Sequence, residues 1–302
     1  MMMLSGFTGI LPDRRDFMSE TLKIGFIDYF LDEWHANNYP EFIRKASGGK
    51  MAAVYAYGHI DSPKGGRTTE QWCADMGMER CLTIDEVVEK SDCIIVLSPD
   101  NPEMHWELCQ KPLRSGKRVY VDKTFAPSAQ IARDLFALAE EYHTPVYSSS
   151  ALRYAKELAD LPDKEAVFID TYGPGVPENY LVHQFEPLAL VMNTPAERIL
   201  YTKAGNVSNY LITFQGGKAA SATLFGWDGP TPFVVTVRYS DGALANIPDA
   251  SAYFDRFIVN MLHFFETGEG AVNKAQTISV MAMIEAAHKA EEVPGQWVEI
   301  DD

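Results

Sequence analysis

RVYVDKTFAPSAQIARDLFALAEEYHTPVYSSSALRY, residues 118–154, is the stretch that decides the fold. It opens with the β-branched run Arg118–Val121, which is typical of a buried parallel strand, so Lys123 follows the carboxyl end of that strand. Open α/β sheets bind their ligands at this edge. Ser128 is predicted to cap a helix with apolar residues at helical spacing, and Pro145–Ser148 is predicted to form the next strand. The lysine is therefore placed to polarise a hydroxyl or carbonyl oxygen of a ligand, although a solvated strand-end lysine is the alternative.

The two halves of the chain differ in their hydrophobic patterns. Short apolar runs alternate with helical patterns in the first half, which predicts a doubly wound, Rossmann-like parallel sheet. Alternating runs joined by glycine-containing turns in the second half predict a largely antiparallel sheet within an α+β domain. The expected organisation is a disordered leader at residues 1–18, a dinucleotide-binding-type domain at 19–150 and a substrate or oligomerisation domain at 151–302. The further predicted strands are LKIGFI (22–27), MAAVYAY (51–57), CIIVL (93–97), SNYLITF (208–214), AASATLF (219–225), FVVTVRY (233–239) and ALANI (243–247).

Composition excludes several classes of partner. The net charge of −16 argues against nucleic acid or an anionic membrane. The four cysteines show no C-x-x-C spacing, which favours reduced, buried thiols in a cytoplasmic protein. No apolar run approaches the roughly 20 residues that span a bilayer. An open antiparallel sheet commonly buries one face on a partner subunit, so a homodimer or homotetramer is expected.

The motif Asp122-Lys123-Thr124 resembles a signature of the glucose–fructose oxidoreductase, inositol dehydrogenase and MocA family (Gfo/Idh/MocA). In that family the corresponding strand ends in Glu-Lys-Pro and is followed by the same helix and strand. The lysine is kept here, whereas the acid is shorter and the proline is absent. Upstream, the Ser98-Pro99-Asp100 turn is similar to the Thr-Pro-Asn turn of the family.

The segment ENYLVHQFEPLALVM, residues 178–192, extends the resemblance into the second half. It is similar to the Asp-x-Gly-x-His-x-x-Asp helix of the family, with Asn179, His183 and Glu186 at the polar places. Asn179 replaces an acid, so it can bind a hydroxyl but cannot act as a base. A histidine among apolar helix residues can also be a core residue, and that reading remains open for His183.

The resemblance implies an oxidoreductase that uses NAD or NADP and acts on a hydroxyl of a small, polar, sugar-like or cyclitol-like substrate. Lys123 would polarise the reacting oxygen, and His183 would exchange its proton, a task that suits imidazole. The expected substrate-binding residues are Asn179, Tyr180 and Arg153, with a plain surface arginine as an equal alternative for Arg153. The expected cofactor-binding residues are Asp28, Tyr29, Ser98, Pro99, His105 and Asp122.

The first strand departs from the family. A dinucleotide loop needs glycines so that backbone amides reach the pyrophosphate, but here Asp28, Phe30 and Glu33 occupy those places. Asp28 is predicted to lie at the start of the first helix and to fill the anion site with its own carboxylate. The alternative hypothesis is therefore a protein with the family's shape that lacks normal dinucleotide binding and acts as a small-ligand-binding or non-redox protein. The spacing of Asp28, His35 and His105 does not support a metal site, and none is predicted.

Overall fold

The first half of the chain folds into a parallel sheet with helices on both faces. The structure is a computed structural model that describes residues 21–227 and 229–301, so the predicted leader lies outside the described residues. The elements are β1 Leu22–Asp28, α1 Trp34–Ala46, β2 Met51–Gly58, α2 Thr69–Met76, β3 Glu79–Arg80, α3 Ile84–Lys90, β4 Cys93–Val96, α4 His105–Leu108, β5 Arg118–Val121, α5 Ala129–Glu141 and β6 Val146–Tyr147. Within the described ranges the six strands pair in parallel in the order β3-β2-β1-β4-β5-β6, which confirms the predicted Rossmann-like sheet.

Local sequence signals account for the helix starts. The Ser128 side chain accepts a hydrogen bond from the Ile131 amide and so caps α5 as predicted. Thr83 caps α3 in the same way. Gly25 in β1 serves packing, because a side chain at this position would collide with Ser91, directly after α3.

The second half forms a mixed sheet that is mostly antiparallel, as predicted. Its elements are α6 Lys156–Ala159, β7 Ala166–Gly173, α7 Pro177–Met192, β8 Ala196–Ala204, β9 Val207–Phe214, β10 Lys218–Leu224, β11 Val234–Tyr239, β12 Leu244–Ile247, α8 Tyr253–Thr267, α9 Lys274–Glu291 and β13 Trp297–Glu299. The strand order is β12-β11-β7-β10-β9-β8-β13, and only β7 and β10 pair in parallel within the described residues. Helices α7 and α9 pack against this sheet.

Helix α8 returns from the second half to pack on the first sheet. Phe257 packs against Tyr120 of β5, with ring centroids 5.5 Å apart, and Phe264 packs against Tyr147 of β6 at 4.8 Å. Burial of each phenylalanine stabilises the docked helix by about 1.5–3 kcal/mol. A division of the chain near residue 150 therefore describes the order of the sheets, while α8 belongs by packing to the first of them. No helix among residues 21–227 and 229–301 is long and apolar enough to cross a membrane.

Candidate active site

A cavity of about 470 Å³ lies where the carboxyl ends of β1, β4 and β5 meet α7 and α8. This is the edge of a doubly wound sheet at which ligands bind. The cavity is lined by Glu33, Trp34, His35, Tyr39, Pro99, Asp100, Asp122, Lys123, Ser149, Ala151, Leu152, Asn179, Tyr180, His183, Trp227, Phe233, Tyr253, Phe254 and Phe257. Aromatic walls with a few charged groups are typical of a small-molecule site.

Lys123 lies at the inner end of this cavity. Its side chain is almost buried, with a relative exposure of 8%. The Nζ atom donates a hydrogen bond to the carbonyl oxygen of Pro99 at 3.4 Å, a long contact that leaves the ammonium able to donate to a ligand oxygen. The alternative of a solvated strand-end lysine does not describe this environment.

His183 lines the same cavity from α7. Its Nδ1 atom is 2.7 Å from the hydroxyl oxygen of Ser150, and the ring of Tyr180 meets it edge-on at 4.8 Å. Burial, followed by the positive charge of Lys123, lowers the pKa of His183 to about 3. The imidazole is therefore neutral at physiological pH and can accept or donate a hydrogen bond.

Asn179 and Tyr180 precede His183 on the same helix and line the cavity. The Oδ1 atom of Asn179 is buried and has no hydrogen-bond partner among the described residues. Because a buried carbonyl oxygen without a partner is costly, a ligand hydroxyl is a favourable occupant of this position. The ring of Tyr180 packs edge-on against Trp227 at 4.6 Å and so supports that cavity wall.

Arg153 does not line the cavity, contrary to prediction. Its guanidinium donates to Glu186 at 3.0 Å in an ion pair whose side chains are 6% and 3% exposed. Gln276 accepts a further hydrogen bond from Arg153. Sequence spacing placed Arg153 near the cleft, but the buried carboxylate of α7 holds it elsewhere, so its role here is to neutralise Glu186.

The carboxylate at the first helix N-terminus belongs to Glu33, which corrects the prediction for Asp28. Glu33 accepts hydrogen bonds from the amides of His35, at 2.6 Å, and Ala36. Burial raises the pKa of Glu33 to about 7, although His35 and the helix amides act in the opposite direction. Asp28 is instead buried at the end of β1, and burial together with the nearby Glu33 raises its pKa well above the ordinary value. The helix amides that bind pyrophosphate in a dinucleotide loop are thus already hydrogen-bonded to the side chain of Glu33.

The loop between β1 and α1, residues 29–33, contacts the segments that follow β2 and β4. The ring of Tyr29 stacks on His59 at 5.9 Å. Lys64 lies 5.5 Å from the centre of the Phe30 ring and pairs with Asp100 at 2.7 Å. A dinucleotide extended along this edge has to displace some of these side chains.

The other predicted cofactor residues occupy different environments. Pro99 and Asp122 line the cavity, whereas Ser98 is buried and donates to the carbonyl oxygen of Asn101. His105 is fully buried, and its ring nitrogens face the carbonyl oxygens of Phe125 and Leu97. His105 therefore links α4 to the segments that follow β4 and β5, and its part in cofactor binding stays a prediction. The described residues contain no group of three or more His, Cys, Asp or Glu side chains able to hold a metal ion.

Three residues in or beside the cavity did not emerge from the sequence as ligand-binding candidates. Trp34 and His35 open α1 and line the cavity, and Ser150, after β6, contacts the cavity residue His183. The available signal was the position of each residue just after a parallel strand or at the next helix start. Their proximity depends on how α1 and α7 face each other, which the sequence pattern does not specify.

Comparison with known proteins shows a family resemblance in the first half of the chain. Residues 38–150 match the family model described as "Oxidoreductase family, NAD-binding Rossmann fold", GFO_IDH_MocA. The resemblance to the Gfo/Idh/MocA family is confirmed. A curated relative, the "Uncharacterized oxidoreductase YhhX" of Escherichia coli (strain K12), is 28% identical over 109 residues, which cover 36% of this chain and 25% of that protein. The matched region thus spans about a quarter of that relative.

Solved structures with this fold cover the chain more completely. GenD2 from gentamicin A biosynthesis, in complex with NAD, superposes with a TM-score of 0.76 at 14% identity and covers 97% of this chain and 100% of that one. A putative myo-inositol dehydrogenase from Sinorhizobium meliloti 1021 gives a TM-score of 0.70 at 14% identity, covering 93% and 100%. At these identities the likeness to the family's structures establishes the fold of both halves.

Proposed function

We propose that this protein is an NAD- or NADP-dependent oxidoreductase that oxidises a hydroxyl group of a sugar-like or cyclitol-like substrate, or reduces the corresponding carbonyl. The observation that carries the proposal is that Lys123 and His183, from different halves of the chain, line one cavity. The NAD-binding description of the matched family supports the cofactor. The inositol dehydrogenase named above supports the substrate class by analogy.

The sheet edge can hold the cofactor if the side chain of Glu33 moves aside. The amides of His35 and Ala36 at the start of α1 would hold the pyrophosphate, and the Pro99 turn would border the reacting end. The carboxylate of Glu33 occupies those amides and must move away first. A bound nicotinamide would accept the hydride from the carbinol carbon of the substrate.

The protein residues would manage the charge and the proton on the substrate oxygen. The Nζ atom of Lys123 would donate a hydrogen bond to that oxygen and stabilise the negative charge that develops on it. Neutral His183 would accept the hydroxyl proton, and its contact with Ser150 would fix the orientation of the ring. Asn179 would accept a hydrogen bond from a neighbouring hydroxyl.

The test is a screen of polyols with each cofactor. Purified protein is incubated with NAD⁺ or NADP⁺ and a panel of inositols, hexoses and their derivatives, and nicotinamide reduction is followed by absorbance. At least one polyol is expected to be oxidised, and Lys123→Ala is expected to abolish the signal. The proposal is contradicted if no polyol of the panel is oxidised and the protein also fails to bind NADH or NADPH.

A second candidate function is favoured by the Glu33 cap. A protein whose anion site is internally occupied can use the cavity to bind a small polar ligand without redox chemistry. This function predicts that polyols shift the melting temperature of the protein, whereas NADH and NADPH leave it unchanged.

The assembly and location are also proposed. The face of the second sheet opposite α7 and α9 exposes Leu211 and Trp297, which supports burial against another subunit in a homodimer or homotetramer. The four cysteines are free and buried, which supports a cytoplasmic location. Gel filtration with light scattering tests the assembly directly.

A further inference from the structure

A second histidine, His35, faces the cavity and has no part in the mechanism above. It is the second residue of α1, and its side chain is 14% exposed. Its Nδ1 atom hydrogen-bonds to Oδ2 of Asp122, the residue that precedes Lys123. The Nε2 atom has no hydrogen-bond partner among the described residues.

The ring of His35 is held on several sides. It stacks on Tyr39, with centroids 5.1 Å apart and planes 12° from parallel. The ring of Trp34 meets it edge-on at 5.4 Å. With Nδ1 bonded to Asp122 and the ring stacked on Tyr39, the orientation of the imidazole is fixed. A histidine that donates from Nδ1 to a carboxylate keeps a lone pair on Nε2, which is the arrangement of an acid–base residue.

Asp122 is itself well fixed. Its Oδ1 atom accepts hydrogen bonds from the Lys123 amide at 2.9 Å and from the Tyr120 hydroxyl at 3.2 Å. Burial alone would raise the pKa of Asp122, but His35 and Lys123 outweigh it and the pKa lies below the ordinary value. The carboxylate is therefore ionised and accepts a hydrogen bond from the Nδ1–H of His35.

His183 lacks such support. Its Nδ1 atom contacts a neutral hydroxyl, that of Ser150, and the nearest carboxylate of its own helix, Glu186, is paired with Arg153. The carboxylate-supported histidine of this cavity is consequently His35. The ionisable groups around it come from four segments: Glu33 before α1 with Tyr39 on that helix, Asp100 after β4, Asp122 and Lys123 after β5, and His183 on α7.

We propose that His35 is a second acid–base residue of the cavity, with Asp122 as its positioning residue, and that it exchanges a proton with a hydroxyl-bearing or carbonyl-bearing ligand. When a hydroxyl proton moves to Nε2, the O–H bond breaks, its electron pair stays on the oxygen, and a new N–H bond forms. Asp122 remains ionised throughout. Where the ligand is not oxidised, the proton returns from Nε2 to the oxygen before the ligand leaves; where a carbonyl forms, solvent removes the proton from Nε2 afterwards. The step needs no nicotinamide, so the proposal holds for either candidate function above.

The first test reads the protonation site without any ligand. Nitrogen NMR of the full chain with ¹⁵N-labelled histidine is recorded at alkaline pH, where imidazoles are neutral. His35 is expected as a single Nδ1–H tautomer with a bare Nε2. Asp122→Asn should give a mixture of tautomers, because an amide can donate to Nδ1 as well as accept from it, and Asp122→Glu should restore the single form. A wild-type Nε2–H tautomer, or a spectrum unchanged by Asp122→Asn, overturns the proposal.

The second test uses diethyl pyrocarbonate, which acylates accessible unprotonated imidazole nitrogens, and needs only the wild-type protein. Peptide mapping should find His35 acylated in the folded state and the fully buried His105 acylated only after unfolding. Exposed His263 is the positive control. Reaction at His263 with none at His35 overturns the proposal.

The third test measures turnover of the polyol found in the screen. His35→Asn is expected to lower kcat by about 10²-fold with little change in KM, since proton exchange contributes about that much. The matched control His263→Asn should retain wild-type kcat. If the screen is positive and His35→Asn keeps the wild-type kcat, the reaction belongs to Lys123 and His183 alone. That result overturns the proposed role of His35. A negative screen rejects the proposed oxidation and leaves the two ligand-free tests to decide on His35.

Discussion

Replacing Glu33 with serine is predicted to strengthen dinucleotide binding. The Glu33 carboxylate accepts hydrogen bonds from two helix amides that would otherwise face a pyrophosphate. Serine keeps an N-cap hydroxyl, so α1 should lose less than the roughly 1 kcal/mol that loss of a cap costs. Removing the competing anion is worth at least one charge-assisted hydrogen bond, about 1.5 kcal/mol, which corresponds to a Kd about tenfold lower.

The same substitution should change the pH dependence of binding. The pKa of Glu33 is about 7, so the carboxylate is charged, and competes, mainly above that pH. NADH affinity of the unmodified protein should therefore fall as pH rises through 7, whereas Glu33→Ser should bind with an affinity that varies less. Fluorescence titration with NADH on both sides of pH 7 measures both effects.

The control for this experiment is Glu41→Gln, which removes an exposed carboxylate from the same helix. It should leave NADH binding unchanged. Equal Kd values for Glu33→Ser and the unmodified protein would refute the reasoning. So would a complex in which pyrophosphate contacts the α1 amides while Glu33 still caps them.

Three further predictions concern turnover and stability. Lys123→Ala and His183→Ala should each lower polyol turnover by about 10²-fold with folding retained; near-normal turnover in His183→Ala would make that residue a packing histidine. Asp28→Asn should stabilise the fold at neutral pH. Burial raises the pKa of the Asp28 carboxyl, so the native state is favoured while the carboxyl is protonated at low pH and loses stability as pH rises; urea unfolding across pH should show a smaller loss in the variant. Arg153→Met should cost about 3–5 kcal/mol because it leaves Glu186 buried without its partner, and an unchanged urea midpoint would show that the ion pair contributes little.

Five of the six strands of the first sheet could be predicted because they are short apolar runs, whereas β3, Glu79–Arg80, is exposed and charged and gave no such signal. The predicted Arg118–Val121 strand matches β5 at both ends, and the 22–27 and 51–57 runs each differ from β1 and β2 by one residue. Two hairpins of the second sheet, β9–β10 and β11–β12, were also found from their turns, whereas the β8–β9 hairpin was not. Strands β7, β8 and β13 were not predicted. The parallel pairing of β7 with β10 brings together segments about 50 residues apart, so it depends on tertiary contacts.

The candidate site was predictable where a side chain follows directly from a strand end, as Lys123 does. The site was harder to predict where a long side chain can reach more than one hydrogen-bonding partner. Glu33 reaches back to the helix amides while Asp28 stays in the sheet, although both carboxylates occupy the same loop region of the sequence. Arg153 likewise turns toward Glu186 instead of the cavity. The partner of each side chain depends on which charged groups become buried nearby, and this is determined only when the two halves of the chain pack together.

The most direct test of the central claim is deuterium transfer. A polyol deuterated at its carbinol carbons is incubated with the protein and NAD⁺ or NADP⁺, and the cofactor is analysed by mass spectrometry. We predict that deuterium appears in the reduced nicotinamide and that Lys123→Ala lowers its rate of appearance by about 10²-fold. Transfer at the same rate in Lys123→Ala, or no transfer from any polyol to either cofactor, would contradict the account.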